Sequence, residues 1–173
     1  MKYKKLWKDY FEGGVGIWSE YGYNYHSYLI VKNIISNLKF NNGMFVQFGT
    51  GLGLTIEHLC NVFGYDRVVG YDLFNPLNHP NIKSLDVYQE LPEDMNLCYT
   101  DIDIGTVGLD YDIRKKLFDW AYKNTKQGYI LINKSIISDY DNLNIVELTS
   151  FDNKELWKTP HNSRLYTKVL VKK

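Results

Sequence analysis

Val46-Gln47-Phe48-Gly49-Thr50-Gly51-Leu52-Gly53 is the stretch on which the reading of this chain turns. A short apolar run, Met44 to Phe48, leads into it. A helical pattern, Leu54 to Phe63, leads out, with Ile56, Leu59, Cys60 and Phe63 on one side. Glycine at 49 permits a tight turn, and glycine at 51 lets a ligand approach the backbone. Glycine at 53 lets the helix pack against a strand. The start of that helix offers N–H groups without intrahelical partners and a positive dipole end, which suits a carboxylate or a phosphate. Gly64 stands where a C-terminal helix cap belongs.

Outward from the loop, strands and helices alternate. Arg67 to Tyr71 predicts a second buried strand closing at Asp72, and Ile82 to Leu85 a third, ending near Asp86. Asn96 to Thr100 reads as a fourth strand, followed by Asp101 and Asp103. Asp112 to Tyr122 reads as a helix with Ile113, Leu117, Trp120 and Ala121 on its apolar side. Lys126-Gln127-Gly128 is expected to turn into a fifth strand, Tyr129 to Ile132. Asn144 to Thr149 and Arg164 to Val171 read as two strands with no helix between them, and so as an antiparallel pair. Before the loop, Asn24 to Leu38 carries apolar residues at helical spacing, and residues 1–23 read as irregular.

This order predicts an α/β fold: a Rossmann-like three-layer α/β/α sandwich whose seven-stranded sheet is mostly parallel, with an antiparallel last strand. The 173 residues are expected to form a single domain, with residues 24–173 as its core.

Composition narrows the partners. Formal net charge is +0 and the basic residues are scattered, which argues against nucleic acid as a partner. No apolar run approaches the roughly 20 residues needed to span a bilayer, and no secretory signal follows the basic N-terminus, so a cytoplasmic protein without a membrane partner is expected. Cys60 and Cys98 lack metal-type spacing and sit in apolar runs, as buried free thiols do. Tyrosine is abundant, with 15 residues. The same A/T-rich codon bias that favours Asn, Lys and Ile favours tyrosine, so the excess is no evidence of a site.

Asp72 closes the second strand beside the glycine loop, where a carboxylate accepts hydrogen bonds from ribose hydroxyls. A dinucleotide loop, G-x-G-x-x-G, needs glycine at 54, which is leucine here. The pattern present is G-x-G-x-G. At these residues the chain resembles the class I S-adenosylmethionine-dependent methyltransferases, in which an acidic residue precedes that loop and a second acid closes the next strand. Gly49, Gly51, Gly53 and Asp72 match, and Asp86 falls where the family often has an acid near the adenine amino group. The resemblance covers residues 24 to 173. It implies S-adenosylmethionine as cofactor, with contacts from Gln47, Gly49, Thr50, Gly51, Gly53, Asp72, Leu73 and Asp86. Position 47 departs from the pattern: Gln stands where the family has the acid that helps hold the amino group of the methionine moiety. The loss of a charge-assisted hydrogen bond there weakens binding by roughly 1–2 kcal/mol.

Methyl transfer asks little of a protein beyond alignment, so a catalytic signature is not required. Asp101 and Asp103 are candidates for a general base or substrate clamp, with a solvated acidic loop as the alternative. Tyr25, His26 and His161 are candidates for the acceptor pocket, against ordinary aromatic packing and an exposed loop histidine. No metal is expected: the Asp-Asn pair of magnesium-dependent relatives would fall at Asn133-Lys134, where lysine repels a cation. With no appended domain visible, the acceptor is expected to be a small molecule or sugar carrying a hydroxyl or amine. Two other readings compete: a non-catalytic binding or partner domain, motivated by Gln47, and an NAD-dependent oxidoreductase.

Overall fold

The structure is a computed structural model that describes residues 42–51, 53–102, 109–133, 145–147 and 167–172. The helix expected at 24–38 and the segment 1–23 lie outside these residues.

Strand β1 (Met44–Phe48) is buried from Phe45 to Phe48, as a central strand covered on both faces is, with Gln47 its one polar residue. It pairs in parallel with β2 (Val68–Asp72) and with β4 (Leu97–Asp101), and β3 (Ile82–Ser84) pairs in parallel with β2. Beyond β4 comes β5 (Thr125–Asn133), again parallel. The parallel order is therefore β3-β2-β1-β4-β5. Strand β7 (Thr167–Lys172) runs antiparallel beside β5, and β6 (Ile145–Glu147) antiparallel beside β7.

Alternation along β1 sends its side chains to opposite layers. Phe45 stacks on Phe63 of helix α1 (Leu54–Phe63), ring centroids 3.9 Å apart. Phe48 meets Trp120 of helix α2 (Tyr111–Asn124) edge-on at 5.4 Å. The two helices thus cover opposite faces, and the fold is a three-layer Rossmann-like α/β/α arrangement. On α1, Ile56, Leu59 and Cys60 are buried as their spacing predicts, and the Gly64 N–H caps the helix on Cys60 O at 2.9 Å. On the α2 face, Leu117, Phe118, Trp120 and Ala121 pack on Val46, Phe48, Val69, Tyr71 and Ile130. Each such fully buried large apolar side chain contributes about 1.5–3 kcal/mol.

Several boundaries differ from the sequence reading. Strand β4 extends one residue further, so Asp101 is the last strand residue and not the first of a loop. No turn separates α2 from β5: Thr125 follows Asn124 directly, and residues 125–128 are already extended. The expected turn is replaced by a slip in register between Leu97 and Tyr99 opposite Thr125 to Tyr129. Gly128 makes that irregularity possible, because a Cβ there would lie 2.3 Å from the backbone oxygen of Cys98. Cys60 and Cys98 are buried and free, as expected.

Candidate functional site

The carboxyl ends of the parallel strands meet at one edge of the sheet, the position at which open α/β sheets present ligand sites. There β1 stops and the chain turns through Gly49, Gly51 and Gly53, all at positive φ. The Gly49 N–H donates to Tyr71 O at 2.8 Å, fixing the loop to the end of β2. Asp72 fastens it further. Its Oδ2 accepts from Gly51 N at 2.9 Å and from Thr50 Oγ1 at 3.4 Å, and its Oδ1 accepts from Phe74 N at 3.1 Å. A carboxylate offers about four lone-pair positions. These bonds orient Asp72 and leave acceptor capacity for a ligand hydroxyl.

Beside Asp72 lies a cavity of about 180 Å³, lined by Phe48, Gly49, Tyr71, Asp72, Leu73, Leu85, Asp86, Val87, Tyr88 and Leu109. Its walls are largely apolar and its acids stand at Asp72 and Asp86. Asp86 Oδ1 accepts from Tyr88 N at 3.0 Å and Oδ2 from Gln89 Nε2 at 2.9 Å, which sets the carboxylate's orientation. A slot of this kind suits a flat heteroaromatic ring carrying a diol.

Two glycines make the compact edge possible. At Gly53 (φ 80) a Cβ would lie 2.7 Å from Ile82 Cδ1 and 3.6 Å from His79 Cδ2, so the strand against which this glycine packs is β3. At Gly70 of β2 a Cβ would lie 2.4 Å from Thr50 Cγ2 and 3.0 Å from Ile56 Cγ1. Gly70, outside the loop motif, is what lets loop and helix sit down on the sheet.

The connection after β2 is locked in turn. Buried His79 accepts the Asn81 N–H on Nδ1 at 3.1 Å, so its proton sits on Nε2, 3.0 Å from Glu57 Oε2 of α1. The Tyr65 hydroxyl donates to the same carboxylate at 3.0 Å. Burial pushes the His79 pKa below its ordinary value of 6.5, and the hydrogen bond and charge of Glu57 only partly oppose this. Asn75 Nδ2 donates to His79 O at 2.9 Å and Asn81 Nδ2 to Val68 O at 2.7 Å, so the stretch from Asn75 to Asn81 is tied to α1 and β2 together.

The sequence-derived candidates separate into groups. Gly49, Asp72, Leu73 and Asp86 line one cavity; Thr50 and Gly51 bond to Asp72; Gly53 sets the packing behind the loop. Gln47 and Asp101 do not line the cavity. They pair across β1 and β4, wholly buried, with Gln47 Nε2 donating to Asp101 Oδ2 at 3.4 Å. A solvated acidic loop is therefore wrong for Asp101, because the strand carries it inside. Asp103, Tyr25, His26 and His161 lie outside the described residues. Sequence reasoning missed the cavity walls Leu85, Val87, Tyr88 and Leu109. The first three bracket Asp86 so closely that the same local stretch would have pointed to them. No sequence signal pairs Glu57 with His79, 22 residues apart.

No protein-family model matches the chain, and no curated protein matches it. Among solved structures it is similar to an S-adenosylmethionine-dependent methyltransferase from Clostridium acetobutylicum, at 18% identity over 84% of this chain and 63% of that one, with a TM-score of 0.46. It is also similar to the plantazolicin methyltransferase BpumL in complex with a desmethylPZN analogue and SAH, at 13% identity over 80% of this chain and 63% of that one, TM-score 0.46. A third is the 23S rRNA methyltransferase ErmE, at 15% identity over 84% and 68%, TM-score 0.45. The chain spans 63% of the length of the first two. The exclusion of nucleic acid drawn from the scattered basic residues is withdrawn, since a 23S rRNA methyltransferase is among these matches. Its physical weakness is plain: a formal charge of zero says nothing about how charge is distributed over one folded face. No helix among the described residues is long and apolar enough to cross a membrane.

Proposed function

We propose that this chain binds S-adenosylmethionine at the carboxyl edge of its sheet and catalyses methyl transfer to an acceptor. The observation that carries the reading is the cavity with Asp72 and Asp86 on its lining beside the glycine loop. In this reading Asp72 accepts hydrogen bonds from the ribose hydroxyls, and Asp86 accepts from the adenine amino group. Leu73, Leu85, Val87 and Leu109 cover the ring faces, and the start of α1 turns its N–H groups toward the carboxylate of the cofactor's methionine moiety. When bound, the cofactor supplies a methyl group on a sulfonium already activated toward nucleophiles. The protein's own contribution is alignment and exclusion of water. The acceptor in this reading is a small molecule or sugar carrying a hydroxyl or amine, a nucleophile for which alignment with the sulfonium supplies much of the acceleration.

Thermal unfolding with added ligand tests the reading. At a hundredfold excess over Kd, S-adenosylmethionine or S-adenosylhomocysteine adds about 2.7 kcal/mol. For a chain of this size that raises the midpoint by about 5–10 °C. NAD(H) is expected to leave it unchanged. Stabilisation by NAD(H) and not by S-adenosylhomocysteine would overturn the proposal in favour of an oxidoreductase, and no shift with either would favour a non-catalytic domain.

A further inference from the structure

His79 stands behind the glycine loop, its side chain wholly shielded from solvent. The ring lies against the last glycine of that loop, since a Cβ at Gly53 would be 3.6 Å from His79 Cδ2 and 3.7 Å from His79 Cβ. Gly53 O accepts the N–H of Glu57 at 2.9 Å, and the Glu57 carboxylate meets His79 Nε2 at 3.0 Å. The imidazole thus touches both ends of the first turn of α1, while belonging to the connection that leads away from Asp72. On its other side, Nδ1 accepts the Asn81 N–H at 3.1 Å. Asn81 is held in place by further bonds: its Nδ2 donates to Tyr65 O and to Val68 O, and its carbonyl accepts the Gly70 N–H at 2.8 Å. This setting fits the neutral ring. A proton on Nδ1 would set two N–H donors face to face, and with Asn81 anchored it is the ring that must move. The groups set against His79 are Glu57 from α1, Tyr65 just past the end of α1, and the uncharged Asn75 and Asn81 of its own connection. Glu57 already accepts from the Tyr65 hydroxyl at 3.0 Å and from Asn61 Nδ2 at 3.2 Å, so the carboxylate is satisfied without an imidazolium.

We propose that His79 is a positioning residue for the glycine loop, and that a proton taken up on Nδ1 displaces its ring from Gly53 and weakens binding of the methyl donor. This rests on the donor-site reading above and adds to it a sensitivity to acid. Because burial holds the His79 pKa below 6.5, affinity is complete above about pH 6.5 and falls as pH drops through the folded value. The coupling is reciprocal: a ligand that prefers the neutral ring must lower the His79 pKa when it binds.

The test is calorimetric titration with S-adenosylhomocysteine between pH 7.5 and pH 5, together with an NMR titration of the imidazoles with and without that ligand. Wild type should lose about fivefold or more in affinity on acidification, the lower end of ordinary coupling between sites. His79→Asn offers Oδ1 to the Asn81 N–H in place of Nδ1 and has nothing to protonate. It should bind within about twofold of wild type at pH 7.5 and keep that affinity at pH 5. His26, His58 and His161 are present in both proteins, so the difference between them isolates position 79. In wild type, saturation with ligand should lower the His79 pKa by about 0.7, the same fivefold read from the other side. No loss of affinity in wild type, an equal loss in His79→Asn, or a His79 pKa that the ligand leaves unmoved overturns the proposal while the donor site stands. Absence of binding to wild type at pH 7.5 removes the donor reading, and the role of His79 falls with it.

Discussion

Replacing Gly53 by alanine probes how the glycine loop is held, and its effect follows from two separable terms. The backbone there has φ 80, where an L-residue with a Cβ costs about 1–2 kcal/mol. The added methyl would also sit 2.7 Å from Ile82 Cδ1. That atom is the end of a flexible side chain, so the overlap is relieved by repacking, at about 1–2 kcal/mol, the lower part of the range for overfilled cores. The sum is a loss of about 2–4 kcal/mol, or roughly 4–16 °C in the unfolding midpoint. Urea unfolding of wild type, Gly53→Ala, Ile82→Val and the double variant separates the terms. Ile82→Val removes the contacted carbon, so the double variant should recover the packing share and keep the backbone share, a coupling of about 1–2 kcal/mol. A loss below about 1 kcal/mol in Gly53→Ala, or no coupling with Ile82, would refute the argument.

Three further outcomes are expected. The His79 pKa is lowered on folding, so the unfolded chain takes the proton first; this stabilising contribution is complete above about pH 6.5 and is lost as pH falls through that value toward the folded one. The slope of unfolding midpoint against pH in that window should shrink in His79→Gln. Gly128→Ala should be among the most damaging single changes, about 3 kcal/mol or more, because the methyl would meet the Cys98 backbone at 2.3 Å and no side chain can yield; soluble expression with a near-normal midpoint would contradict this. Burial pushes the thiols of Cys60 and Cys98 up to about 12 and about 11, so neither should react with a thiol-specific disulfide reagent at pH 8 until the protein is denatured.

Much of the edge that carries the site was legible because local patterns encode it. A buried strand, three alternating glycines and an amphipathic helix name the β1-loop-α1 unit, and Asp72 follows as the first polar residue after the next apolar run. What stayed hidden depends on contacts between distant stretches. Gly70 looks like an ordinary glycine in a strand until Thr50 and Ile56 are placed over it. The Glu57–His79 lock joins a helix to a loop across 22 residues, and nothing in either stretch announces it. The strand boundary at Asp101 was missed for a different reason. A one-residue error in where β4 ends puts the strand's last, fully buried residue into an expected loop, whereas the chain stays buried through Ile102. The turn expected at Lys126 to Gly128 failed similarly, since glycine there relieves a close approach to Cys98 within continuous extended chain.

The central claim is that the glycine loop and Asp72 form a nucleoside-binding edge for the methyl donor. Calorimetric titration of wild type and Asp72→Ala with S-adenosylhomocysteine tests it most directly. The account predicts micromolar binding to wild type and a loss of about tenfold or more in the variant, at a temperature where the variant is folded, as removal of hydrogen bonds to a charged group requires. Absence of binding to wild type, or equal affinity in the two proteins, would contradict it.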